Sequence, residues 1–170
     1  NRNRLFLLYS MIQAITETAF SPDICTEDNR IDTSVASTQI RFLVKFINDL
    51  DGSIVYCYPQ LNLGILPRYT RMFFTYNINP NLYSGTIKLL PAGHWKYEVY
   101  EVSWIGTVVV ALNTAPATET DILPVAFTNG VVQGIVTKGI LNLTEKAGTE
   151  QVQYTQHPEP SGTNTIYYGQ

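Results

Sequence analysis

Ile40-Arg41-Phe42-Leu43-Val44-Lys45-Phe46-Ile47-Asn48-Asp49-Leu50-Asp51-Gly52-Ser53-Ile54-Val55-Tyr56-Cys57-Tyr58-Pro59 is the stretch on which the fold turns. Ile40, Phe42, Val44 and Phe46 share one face, with Arg41 and Lys45 on the other, which is the period of two of a half-buried strand. Asn48 to Gly52 forms a turn whose Asp-Gly step offers a residue tolerant of positive φ. The run from Ser53 to Tyr58 returns beside the first, and Pro59 ends it. The stretch predicts a β-hairpin.

Strand signals continue outward from the hairpin. Residues 69–77 read as a strand, with Met72, Phe74, Tyr76 and Ile78 opposite Arg71, Phe73 and Thr75, closed by an Asn- and Pro-rich turn. A short strand over 86–90 is turned by Pro91-Ala92-Gly93. Residues 94–104 form the longest candidate. Its apolar set moves from Trp95, Tyr97 and Val99 to Tyr100, Val102 and Trp104, as a β-bulge near Val99 would produce. Further strands are expected over 107–112, 122–128, 131–136 and 140–144, around a polar loop at 113–120.

The ends read differently. Leu5, Leu8, Ile12 and Ile15 have helical spacing, but two short strands joined near Ser10 agree better with the rest of the chain. Residues 21–36 carry Asp23, Glu27, Asp28 and Asp32 and read as a long acidic loop. Strand-like runs at 151–155 and 165–168 bracket His157-Pro158-Glu159-Pro160-Ser161-Gly162, which excludes regular structure. The expected organisation is therefore strands or an arm and an acidic loop over 1–36, a sandwich domain over 37–156 and an arm over 157–170. Many short strands without βαβ alternation predict an all-β protein, an antiparallel β-sandwich of immunoglobulin-like or jelly-roll-like type with extended terminal arms.

Composition narrows the function. The 170 residues are 45% hydrophobic but only 15% charged, with five lysines against eleven tyrosines. Soluble domains average nearer 25% charged, and interfaces are depleted of Lys, Glu and Asp and enriched in aromatics. Much of the surface is thus expected to meet protein. A net charge of −3 argues against nucleic-acid binding, and the apolar stretch 5–15 is too short to span a bilayer.

Candidate chemistry is sparse. Cys25 and Cys57 allow one disulfide, although Cys57, inside an apolar run, is expected as a buried free thiol. His94 and His157 are the only histidines, and no metal-ligand spacing or nucleophile elbow occurs. Glu98 and Glu101 beside Trp95 and Trp104 resemble a glycosidase pair, but three residues apart on a strand they fall on opposite faces. The acidic loop lacks a calcium-loop pattern. Neither an enzyme activity, a cofactor, a metal nor a small-molecule ligand is expected.

Four stretches carry a resemblance: Phe46-Ile47-Asn48-Asp49 leading into the hairpin, Asn79-Pro80 before Tyr83-Ser84-Gly85, Gly93-His94-Trp95-Lys96-Tyr97-Glu98-Val99-Tyr100-Glu101, and the ending Asn164-Thr165-Ile166-Tyr167-Tyr168. In these the chain resembles small virion proteins of tailed phages, including crAss-like and marine phages. The resemblance implies an auxiliary, decoration or cement capsid protein on the head, in virions assembled in the host cytoplasm. Its partners would be the major capsid protein, other virion proteins and copies of itself. The long N-terminus departs from that pattern, where the first strand lies closer to the hairpin. The contacts expected for such a role are Arg2, Arg4, Leu5, Phe6 and Leu7 at one end and Tyr154, Tyr167 and Tyr168 at the other. The alternative is a carbohydrate- or receptor-binding module of a fibre, with Trp95 and Trp104 as stacking platforms.

Overall fold

The structure, a computed structural model, describes residues 11–147. Along the chain the strands are β1 (Met11–Ile15), β2 (Asp23–Ile24), β3 (Ile40–Asn48), β4 (Ile54–Cys57), β5 (Thr70–Arg71), β6 (Thr75–Tyr76), β7 (Thr86–Ile87), β8 (Gly93–Ser103) and β9 (Val131–Thr144). The hairpin is β3–β4, paired antiparallel from Val44 opposite Cys57 to Ile47 opposite Ile54. Gly52 sits at φ 74° in its turn, a conformation a side chain disfavours. The Asn48 carboxamide accepts the Leu50 amide at 2.7 Å and closes the turn from inside.

The fold is β-rich and its sheets are mixed. Five strands form the main sheet in the order β1-β9-β8-β3-β4, and two two-stranded pieces, β2-β5 and β6-β7, complete the pairing. Two pairs are parallel, β1 with β9 and β6 with β7, so the expected purely antiparallel sheet is corrected. Strands β1 and β9 are separated by more than a hundred residues, and no tight hairpin dictates their relative direction. Because β1 is an edge of the main sheet, the described part of the first 36 residues belongs to the same packed body. The Asn29 carboxamide donates to the Val136 carbonyl at 2.9 Å, four residues before Ile140, the first β1 pairing partner on β9.

On the inner face, Ile40, Phe42, Val44 and Phe46 of β3 meet Trp95, Tyr97 and Val99 of β8, with Ile12, Ala14, Cys57, Leu141 and Leu143 beside them. The small pieces cover this face with Ile24, Met72, Phe74 and Ile87. Phe20 stacks on Phe74 at 4.9 Å between centroids, and Phe46 meets Phe74 edge-on at 5.5 Å, both favoured aromatic geometries. The outer face carries a smaller cluster of Leu43, Tyr58, Val102, Trp104 and Ala115.

Several local expectations need correction. The strand expected over 69–77 divides between β5 and β6 because its backbone changes partners: Pro22 at Met72, Gln60 at Phe73, Phe20 at Phe74, then Gly85 at Thr75 and Ile87 at Asn77. The segments 107–112 and 122–128 are not strands. Conversely, 131–136 and 140–144 merge into the single strand β9. The irregularity near Val99 lies on β9, not on β8. Val136 is left over between Thr137, which faces Val99, and Ile135, which faces Tyr100, and Gln133 is left over between Gly134 and Val132. Against β3, β8 keeps an unbroken register. The apolar set on β8 therefore changes phase because cover passes from the inner face to the outer one.

Candidate interaction surface

Residues 105–130 leave the end of β8, cross the outer face and return to β9. A polar latch holds this strap down. Glu119 accepts from Lys45 Nζ at 2.6 Å and from the Tyr56 hydroxyl at 2.5 Å, bridging to β3 and β4 together. The Tyr58 hydroxyl donates to the Pro116 carbonyl at 2.5 Å. Burial opposes ionisation of Glu119, yet the bonds from Lys45 and Tyr56 outweigh it and hold the carboxyl below its ordinary pKa. Burial, and then the bond to Glu119, raises the Tyr56 phenol, so it stays a donor. Tyr100 behaves alike beside Glu98, to which it donates at 2.5 Å.

Beyond the latch the chain turns outward. Asp121 accepts the amides of Ala117 and Thr118 at 2.9 and 3.3 Å. The next residues, Ile122-Leu123-Pro124-Val125-Ala126-Phe127, form a loop tied at its base. Gly106 N donates to Phe127 O at 3.1 Å and Gly130 N to Thr114 O at 2.7 Å. The Asn129 side chain donates to Pro124 O at 2.7 Å and Trp104 Nε1 to Thr128 O at 3.0 Å. A side chain at Gly130 would lie 2.7 Å from the Trp104 ring, so the loop's return needs a glycine there. On this anchored backbone Ile122 is 94% exposed, Val125 92% and Phe127 75%.

A loop so heavily bonded at its base presents apolar side chains in a set arrangement. Grouped exposed apolar residues mark interaction sites, whereas scattered ones need no explanation. Sequence reasoning missed this loop by reading 122–128 as a strand. The available signal was an apolar run without alternation, interrupted by Pro124 and closed by Asn129-Gly130.

The expected contact residues Arg2, Arg4, Leu5, Phe6, Leu7, Tyr154, Tyr167 and Tyr168 lie outside the described residues. Trp95 and Trp104 are corrected as stacking platforms. Both are wholly buried, and Trp95 Nε1 donates to Pro91 O at 3.0 Å as Trp104 does to Thr128 O, so neither ring offers a face to a sugar. Glu98 and Glu101 point to opposite faces. Buried Glu101 accepts the Ile31 amide at 3.2 Å and the Asp32 amide at 2.8 Å, tying the loop after β2 to the sheet.

The acidic residues of that loop do not converge. Asp23 pairs with Arg71 at 2.7 Å, Asp28 accepts from Cys25 and Asp32 from Ser34. Among the described residues no group of three or more His, Cys, Asp or Glu is placed to hold a metal, and no helix is long and apolar enough to cross a membrane. Both cysteines are free; burial pushes the Cys57 thiol up to about 12, leaving it protonated and unreactive at neutral pH. No family model, curated protein or solved structure matches the chain.

Proposed function

We propose that this chain is a non-enzymatic structural protein acting through protein–protein contact, in the role of an auxiliary, decoration or cement protein on a tailed-phage head. The observation that carries this reading is the anchored loop with Ile122, Val125 and Phe127 turned outward. Binding energy at an interface is lost to ordering flexible groups, so apolar side chains on an already ordered loop favour association. The low charge content supports a surface meant to meet protein. The body is read as a sandwich with a reduced second layer, the main sheet on one side of the core and the β2-β5 and β6-β7 pieces on the other. The virion assignment, with the major capsid protein, other virion proteins and further copies of this chain as partners, rests on the resemblance of the hairpin, the β8 stretch and the tyrosine-rich ending.

The test is to purify particles and measure how many copies of the chain they hold. A fixed stoichiometry, lost when Val125→Ser and Phe127→Ser are combined, is the expected result. Recovery only as free monomer, or retention by the double variant, sinks the reading. A sugar-binding role has lost the two rings that suggested it.

A further inference from the structure

Charged groups of alternating sign cross the outer face in one row. Lys138 of β9 lies opposite Glu98 of β8, and Glu98 lies opposite Lys45 of β3. The row ends on Glu119, which reaches Lys45 from the strap at 2.6 Å. Side chains directly opposed in an antiparallel pair have Cβ atoms about 5 Å apart, so Lys45 stands between two carboxylates. Each carboxylate has its own phenol donor at 2.5 Å, Tyr56 on Glu119 and Tyr100 on Glu98. Glu98 also acts on the Tyr56 phenol and Glu119 on that of Tyr100, as groups of one cluster do.

The piece of strap that carries Glu119 is closed on itself. Asp121 accepts the Ala117 and Thr118 amides and the Thr118 hydroxyl, and its own amide donates to Thr118 O at 3.3 Å. Among the described residues, every hydrogen bond from 117–121 to the sheet runs through the Glu119 side chain. Both flanks are fixed. Ala115 and Pro116 are buried, with the Tyr58 hydroxyl on Pro116 O, and the loop beyond is tied at Thr128 and Gly130. A compact turn thus hangs from one carboxylate between two anchored ends.

Lifting such a turn would normally leave its cation without a partner, and the Lys45 side chain is only 14% exposed. A covered ammonium deprived of its carboxylate is costly. Here the sheet holds a second carboxylate on the neighbouring strand, already oriented by Tyr100. Release therefore exchanges one ion pair for another, which keeps the two arrangements close in free energy, as a two-state element requires.

We infer that residues 117–121 form a releasable latch in which Lys45 passes from Glu119 to Glu98 when the turn lifts. The turn leads directly into Ile122, so the closed latch orders the apolar loop and the released latch loosens it. The hand-over is a property of the isolated chain and goes beyond the reading of the loop as an interface.

The experiment is NMR relaxation dispersion on the full chain, which reads exchange on the μs–ms scale. It is run on Tyr56→Phe, which removes one of the two bonds to Glu119, keeps both ion partners and raises the open population about fivefold. The expected result is one exchange process shared by the amides of 117–121 and absent from β3 and β8. Adding Glu98→Gln lowers the open population about threefold, because the open state loses the carboxylate that receives Lys45. A Glu98 that merely braced the closed cluster would give the opposite sign. Absence of a shared process, its spread into β3 and β8, or an open population unchanged or raised by Glu98→Gln each overturns the latch. No particle enters the measurement, so particle binding and the latch can fail separately.

Discussion

The two faces of the main sheet are built on different physics. The inner face is dry: Phe46, Trp95, Tyr97, Val99 and Leu141 are wholly buried, and the small pieces β2-β5 and β6-β7 seal them. The outer face is held at one end by a polar latch of Lys45, Tyr56 and Glu119 and left open over β1 and β9. Burial of apolar area dominates folding free energy, so the inner face carries most of the stability. The outer face uses directional bonds to aim a loop. Stability and presentation are thus separated across one sheet and should respond to different substitutions.

The comparison breaks most visibly at its dry side. Trp95→Ala removes a fully buried ring and its bond to Pro91 and is expected to destabilise by about 3–5 kcal/mol, read as a lower midpoint in chemical denaturation. A loss under about 1 kcal/mol would show that the inner face is not the principal core. Next, Glu101→Ala strands the Ile31 and Asp32 amides that its carboxylate accepts, with an expected loss of about 2–3 kcal/mol and faster proteolysis of the loop after β2.

The latch sharpens the comparison at an intermediate level. Glu119→Gln is expected to lower stability by about 1 kcal/mol and to increase protease cutting within 105–130 while β3 and β8 stay protected in hydrogen exchange. The pH dependence has a definite sign. The folded carboxyl titrates below its ordinary value near 4.5, so its contribution is present above that pH and is lost as pH falls through the folded value. Thermal melts of the native chain should fall in that acidic window more steeply than those of Glu119→Gln. The smallest effect on stability is expected for Val125→Ser, within about 0.5 kcal/mol, although it weakens partner binding. A large loss of folding stability would mean that the loop belongs to the core.

The hairpin and the first half of β8 were legible in the sequence because each has one alternating face that the fold buries. Alternation failed where neighbours, rather than the segment itself, decide the structure. Val108 and Val110 suit a strand, yet the strap crosses the sheet instead of joining its edge, so they pack against the outer cluster around Leu43, Val102 and Trp104. Residues 70–77 have strand chemistry but exchange partners every few positions. Gly134, at φ 148°, sits where β9 accommodates its leftover residues without leaving the sheet. Of the candidate site, only the low charge and the abundance of aromatics were visible beforehand. Opposite faces for Glu98 and Glu101 followed from strand geometry, whereas the roles of Glu101 and Glu119 required partners roughly 70 positions away.

The side chain of Asn29 donates to the carbonyl of Val136, four residues before Ile140, where the β1 pairing begins. That bond fills a main-chain acceptor of β9 that a pairing strand would otherwise use, so a side chain here does the work of a neighbouring strand.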